Sequence, residues 1–182
     1  MPGGSSRYAA TVAAAAAVGV FAAGCSDSAA GPVVLKSRTP LASPSAFPAP
    51  TFPATPEGAA AFARYFFQVL DEAYVSGDTT DLEVSIGSEC ESCARMLGAI
   101  TRTYAEGQRY EGGRTTVAFA ESPAAPGSTA TVDVIYSSEE LRRVDSRGET
   151  VSKEPAALKV EATLRLRWMG RHWVVTAYGI AR

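Results

Sequence analysis

One histidine and three cysteines are all that 182 residues offer for imidazole or thiolate chemistry. Any catalytic histidine would have to be His172, and no Ser-His-Asp relay is readable around it. His172 sits beside an expected hairpin turn, where an exposed surface role is the simpler reading. Two cysteines, Cys90 and Cys93, with one distant histidine do not make the usual four-ligand zinc set. No Gly-x-Ser-x-Gly nucleophile elbow occurs, and no glycine-rich phosphate loop. These gaps leave no catalytic residue, metal or cofactor to assign.

A second shortage is positive charge. The chain has 17 basic and 19 acidic residues. With Arg7 in residues 1–24 and Asp27, Lys36 and Arg38 in 25–55, residues 56–182 carry a net charge of −4. Nucleic-acid binding needs a concentrated basic surface, so that partner is excluded. Electrostatic adhesion to an anionic membrane is also unsupported. Long apolar runs are missing too. The one run present, Tyr8 to Ala23, falls short of the roughly 20 residues of a membrane-spanning helix.

That run has another use. Met1 to Arg7 is polar and ends in one positive charge, and the apolar stretch after it ends at Ala22-Ala23-Gly24-Cys25. A charged start, a short apolar middle and small residues at the end make a secretory signal peptide, residues 1–24. The last four residues resemble the bacterial lipobox, with Ala22 where that pattern prefers a larger aliphatic side chain. The resemblance implies that Cys25 receives a diacylglyceryl group and an acyl chain such as palmitate, and becomes the mature N-terminus. Two or more buried chains at ~0.8 kcal/mol per CH₂ anchor durably. The expected address is the outer face of a cell membrane. The competing reading is an ordinary secretory signal with Cys25 as a bystander.

Residues 25–55 follow as a tether. Pro32, Pro40, Pro44, Pro48, Pro50 and Pro53 recur among serine, alanine and threonine. Proline blocks regular helix and removes backbone donors, so the segment is expected to be a disordered, semi-rigid spacer.

The remainder, 56–182, reads as one folded domain. Thr55-Pro56-Glu57 is a helix start, with a cap, proline at the first helical position and an acid in the first turn. Phe62, Phe66, Val69, Leu70 and Ala73 then make one apolar face, and Gly77 ends the helix. Asp81 to Ile86 reads as a short helical turn or connector. A second long helix is expected from Ser88, which with Glu91 fits a capping box. Cys93, Leu97, Ile100 and Tyr104 share its apolar face, and Gly107 stops it.

Strands come next. Thr116–Ala120 and Thr129–Ser137 are expected strands. Leu141–Val151 is polar and resists assignment, apart from a turn tip at Ser146-Arg147-Gly148. Leu158, Val160, Ala162, Leu164, Leu166 and Trp168 alternate with polar residues, the mark of an antiparallel strand with one wet face. Trp173 to Ile180 returns after a turn at Met169-Gly170-Arg171. Helices followed by antiparallel strands make an α+β fold, with the N-terminal helices packed on one face of a curved sheet.

This order resembles the NTF2-like, or cystatin-like, roll, and residues 165–178 are similar to the final hairpin of that superfamily. Phe62-Ala-Arg-Tyr-Phe-Phe, Tyr74, Ser76-Gly-Asp-Thr, Cys90-Glu-Ser-Cys and Tyr104-Ala-Glu-Gly look like a family of uncharacterised actinobacterial lipoproteins, a domain of unknown function. The resemblance implies an envelope location and a shared disulfide, and no known activity. Roll folds often keep a cone-shaped cavity, which Tyr65, Tyr74, Tyr104, Tyr136 and Tyr178 could line or fill. Asp133 would be the lone acid of an isomerase-like pocket, or simply exposed. A sheet face that pairs in this superfamily makes a homodimer an expectation.

Cys90 and Cys93 carry the one constellation with chemistry. Three residues apart in an oxidising compartment, they are close enough to pair. The structural reading is a disulfide that clamps a helix start. The functional reading is a thiol–disulfide oxidoreductase, since a helix N-terminus favours a thiolate. Against it, Glu89 and Glu91 flank Cys90, and the motif lacks the βαβ surroundings of a thioredoxin fold. The sequence thus supports a non-catalytic module that binds an apolar small ligand or an envelope protein.

Overall fold

The structure, a computed structural model, describes residues 50–123 and 127–181. The signal peptide, the lipid attachment at Cys25 and most of the tether lie outside the described residues.

Helix α1 (Pro56–Ser76) starts as its sequence dictates: the Thr55 hydroxyl accepts the Gly58 N–H at 3.1 Å, and Gly77 closes the other end in the left-handed region. Its apolar face buries Phe62, Phe66, Phe67, Val69, Leu70 and Ala73. Helix α2 (Thr80–Ser85) is the short connector. Helix α3 (Glu91–Ala105) begins two residues later than its capping-box signature indicates. Cys90, and not Ser88, is the cap, and the Cys93 N–H donates to Cys90 Sγ at 3.3 Å. Ser88 and Glu89 are spent on a turn in which the Cys90 N–H reaches the Gly87 carbonyl. Glu91 is exposed and faces Arg95 instead of reaching back.

Among the described residues seven antiparallel strands follow: β1 (Arg109–Gly112), β2 (Thr115–Glu121), β3 (Thr129–Ser138), β4 (Leu141–Val144), β5 (Thr150–Glu154), β6 (Ala157–Trp168) and β7 (Trp173–Ile180). They pair as two sheets, ordered β1-β4-β5 and β2-β3-β6-β7. The sequence indicates one curved sheet. The structure creases it along a line where three long strands each break, at 113–114, 139–140 and 155–156. Pro155 cannot donate to a ladder. Gly112 and Gly113 have φ of 76° and 77°, and a Cβ on Gly112 would stand 2.4 Å from the Glu140 carbonyl oxygen. The bend there thus requires glycine. Two hydrogen bonds of 3.0 Å span the crease, from the Gly113 N–H to the Glu140 carbonyl and from the Glu139 N–H to the Arg114 carbonyl.

β1, β4 and β5 are the strands that the sequence does not announce. Their charged residues pair across the outer surface, with Glu111 between Arg109 and Arg142, which masks the alternation. The tip at Ser146-Arg147-Gly148 is where it was expected, and Asp145 Oδ1 accepts the N–H groups of Arg147 and Glu149 there. Leu158 departs from its expected inward position and is 93% exposed. The β3–β6 register shifts between Tyr136↔Val160 and Ser138↔Ala157. An extra residue in β6 reverses the alternation, turning Leu158 outward.

The core lies between the helices and the larger sheet, with Trp173, Phe66, Leu164, Leu166 and Ile100 fully covered. The folded unit also takes in residues that composition assigns to the tether. Phe52 packs on Phe62 and Tyr65 at 5.7 and 5.4 Å, and the Pro53 carbonyl accepts the Trp173 indole N–H at 2.9 Å.

Gly58 makes this docking possible, because a Cβ there would stand 2.0 Å from the Pro53 oxygen. Alanine in a helix gains up to about 1 kcal/mol over glycine, whereas overpacking costs about 1–3 kcal/mol. Gly58→Ala is therefore expected to lower the unfolding free energy in urea and to red-shift tryptophan emission. A stabilised variant would contradict this packing.

Candidate functional site: a cleft between the first helix and the crease

α1 lies along the edge of the larger sheet, and two of its side chains close that edge. Asp71 takes the Thr115 N–H on Oδ2 at 2.8 Å and the Thr115 hydroxyl on Oδ1 at 2.9 Å. Arg64, two turns earlier, donates from Nη1 to the Val117 carbonyl at 3.1 Å. The β2 ladder shifts register between Val117 and Phe119, so β2 bends just past the carbonyl that Arg64 takes.

Beside this seam opens a cleft of about 1000 Å³. One wall is α1, with Arg64, Gln68, Asp71, Glu72 and Val75. The other is the crease and β2, with Gly112, Arg114, Thr115, Val117 and Glu139. Phe67 forms part of its floor and is almost fully covered. Asp71 is tied to Thr115, and burial pushes its carboxyl above the usual carboxylate range, against the lowering effect of the Thr115 bonds and Arg114. The side chains of Gln68, Arg114 and Glu139 have no hydrogen bond or ion pair among the described residues. They offer donors and acceptors to whatever enters.

The five tyrosines lie elsewhere, and none lines this cleft. The hydroxyls of Tyr136 and Tyr178 are 2.8 Å apart beneath Phe67. Burial first, then the bond to Tyr136, raises the Tyr178 hydroxyl well above its ordinary value. Tyr74 meets Tyr110 edge to face at 5.0 Å and is pushed up to about 12, chiefly by burial. The Tyr104 hydroxyl lies 2.7 Å from the carbonyls of Tyr74 and Val75, tying α3 to the end of α1. Tyr65 packs with Phe52 and Phe62. In these positions the rings pack between helices and sheet.

Cys90 and Cys93 are joined, with Cα atoms 5.2 Å apart. Both residues are about 1% exposed. Thiol–disulfide exchange needs a thiolate to reach a sulfur, and this bond lies in the core. Beside it the Ser92 hydroxyl donates to the Tyr178 carbonyl at 2.8 Å, and the Gly87 N–H donates to the Val175 carbonyl at 2.8 Å. The α2–α3 connection and the first turn of α3 thereby cover the β7 edge. His172 is exposed in the β6–β7 turn, and Asp133 is exposed on the outer sheet face, accepting from Thr163 at 3.0 Å. Among the described residues no group of three or more His, Cys, Asp or Glu is placed to hold a metal, and no helix is long and apolar enough to cross a membrane.

Sequence reasoning does not single out Arg64, Gln68, Glu72, Arg114 or Glu139. The first three recur every four residues on α1, a polar stripe that could have marked a cleft wall. Arg114 and Glu139 meet only through the crease, which pairs residues 25 apart.

Comparison with known proteins adds a family and a distant fold likeness. The pattern of a family of unknown function, DUF6318, matches residues 47–178. No curated protein matches the sequence. The intermembrane space region of the chloroplast protein ARC6 is similar in fold at 12% identity, with a TM-score of 0.51 over 72% of this chain and 98% of that one. A putative calcium/calmodulin-dependent protein kinase II association domain from Xanthomonas campestris, at 10% identity and a TM-score of 0.43, covers 72% of this chain and 91% of its own. That second likeness is too loose to carry an argument.

The raised carboxyl of Asp71 has a signed consequence. A group with a raised folded-state pKa contributes stability below its unfolded value and loses it as pH rises through the folded one. The unfolding free energy of the native chain minus that of Asp71→Asn should thus be largest in acid and shrink toward neutral pH. A difference that grows toward neutral pH would mean that the Thr115 bonds outweigh burial.

Proposed function

We propose, for a chain that belongs to the family of unknown function DUF6318, that it is a lipid-anchored protein on the outer face of a cell membrane. Its folded domain acts as a non-catalytic binding module. The charged start, short apolar run and Ala22-Ala23-Gly24-Cys25 ending support the anchor. The helix-then-strand order and the creased sheet support a roll of the NTF2-like kind in an actinobacterial lipoprotein. The likeness to the ARC6 region concerns the fold alone.

One observation carries the binding role: an open cleft whose Gln68, Arg114 and Glu139 side chains make no hydrogen bond or ion pair among the described residues, while the carboxylate beside them, Asp71, is spent on holding the fold. Charged and amide groups around a small apolar floor suit a segment of a neighbouring envelope protein better than an apolar small molecule. A homodimer through the outer face of the larger sheet would bring together Asp133, Arg165 and Arg167, a polar surface that suits weak pairing.

The test is a photo-crosslinking residue at Gln68, on the cleft rim, in the native envelope. One defined protein adduct is expected. It should be lost with Arg114→Glu and absent when the crosslinker stands at Lys159 on the outer sheet face. No adduct from Gln68, or equal adducts from both sites, would contradict the reading. Cys25→Ser should move the protein from the membrane to the soluble fraction.

A further inference from the structure

Two polar side-chain atoms are covered by the fold and have no partner among the described residues: Nε of Arg143 and Oε1 of Gln108. Nine in ten or more buried polar groups are bonded, and leaving one bare costs about 1–3 kcal/mol, more for a charged group. Finding a bare donor and a bare acceptor near each other calls for a common cause.

Strand register puts them together. Tyr110 faces Arg143, which in turn faces Ser152, and directly opposed residues share a face. That face is the helix side, because the Tyr110 ring meets Tyr74 of α1 and its hydroxyl lies 3.1 Å from Thr103 of α3. Gln108 stands just before β1, and its N–H donates to the Thr103 carbonyl at 3.0 Å, which sets it beside the same end of α3. It is diagonal to Arg143, roughly 7–8 Å away between backbones, within reach of two long side chains. Arg142 next door points outward and is paired with Glu111 at 3.0 Å. Among the described residues the Arg143 side chain has no ion pair, and its Nε has no hydrogen bond. The carboxylate on its own face is Glu154, opposite Leu141.

We propose that Arg143 and Gln108 hold a small carboxylate ligand on the helix side of the β1-β4-β5 sheet. A guanidinium presents Nε and one terminal nitrogen side by side, a fork that matches two carboxylate oxygens. Oε1 of Gln108 accepts only, so the ligand brings a donor. A hydroxy- or amino-carboxylate satisfies both, with Tyr74 and Tyr110 as its wall. None of these residues lines the α1 cleft, so the site stands independently of the module proposed above.

The experiment uses the whole chain, ¹⁵N-labelled and in detergent, with the Arg143 Nε–Hε signal assigned by its loss in Arg143→Lys. Sodium lactate is the probe, with acetate, chloride and sulfate as comparisons. Lactate should shift that signal and the Gln108 side-chain amide saturably. Acetate, lacking the hydroxyl, should bind about fivefold to tenfold more weakly, the value of one hydrogen bond. Gln108→Ala should erase the gap between lactate and acetate without moving the other backbone signals. No saturable shift, or sulfate shifting the signal as strongly as lactate, would overturn the proposal. So would Glu154→Gln displacing the ligand-free Arg143 signal, since Arg143 would then be paired within the protein.

Discussion

An edge strand presents a row of backbone donors and acceptors that must find partners or invite other chains. In this fold side chains and loops of the helical layer answer that demand at both edges of the larger sheet. On β2, Asp71 takes the Thr115 N–H and Arg64 takes the Val117 carbonyl. On β7, the Gly87 N–H and the Ser92 hydroxyl take the carbonyls of Val175 and Tyr178. The helices therefore grip the sheet from two sides, and the apolar layer between them is enclosed. The cleft is a by-product of the same arrangement: α1 must lie beside β2 to reach it, and the crease carries the rest of the sheet away.

The disulfide belongs to this scheme. Closing a four-residue loop stabilises by only about 2 kcal/mol on the loop-entropy estimate, so its worth lies in where it sits. It fixes the start of α3 next to Ser92, and a sulfur does the capping that an oxygen usually does. Buried in the core, Cys90 and Cys93 read as part of the edge cover, and the acidic neighbours Glu89 and Glu91 are consistent with an inert bond.

Much of this architecture is legible in the residues. Thr55-Pro56-Glu57, the Phe62–Ala73 stripe and the alternation from Val160 to Trp168 act locally, through caps and period, and the chain follows them. The misses have one cause in common. Ser88 is a good cap in isolation, yet a turn held by the Gly87–Val175 bond uses it up. Leu158 alternates correctly, yet a bulge on β6 turns it outward. β1, β4 and β5 gain their order from ladders and from Glu111 between two arginines, none of which is visible within one strand. The cleft is hidden for the same reason, since its walls come from α1, β2 and the β1–β2 and β3–β4 junctions. The tyrosines illustrate the converse: the resemblance to roll folds suggests that they meet a cavity, and none of them lines the α1 cleft.

α1 closes the β2 edge through Asp71, and hydrogen exchange at the Thr115 amide reads that bond directly. Closed by Asp71, this edge amide should exchange as slowly as the paired amides of β3, far more slowly than the turn amides of Gly148 and Gly170. Exchange at the rate of those turn amides would mean that the edge is open and that the helix lies beside the sheet without holding it.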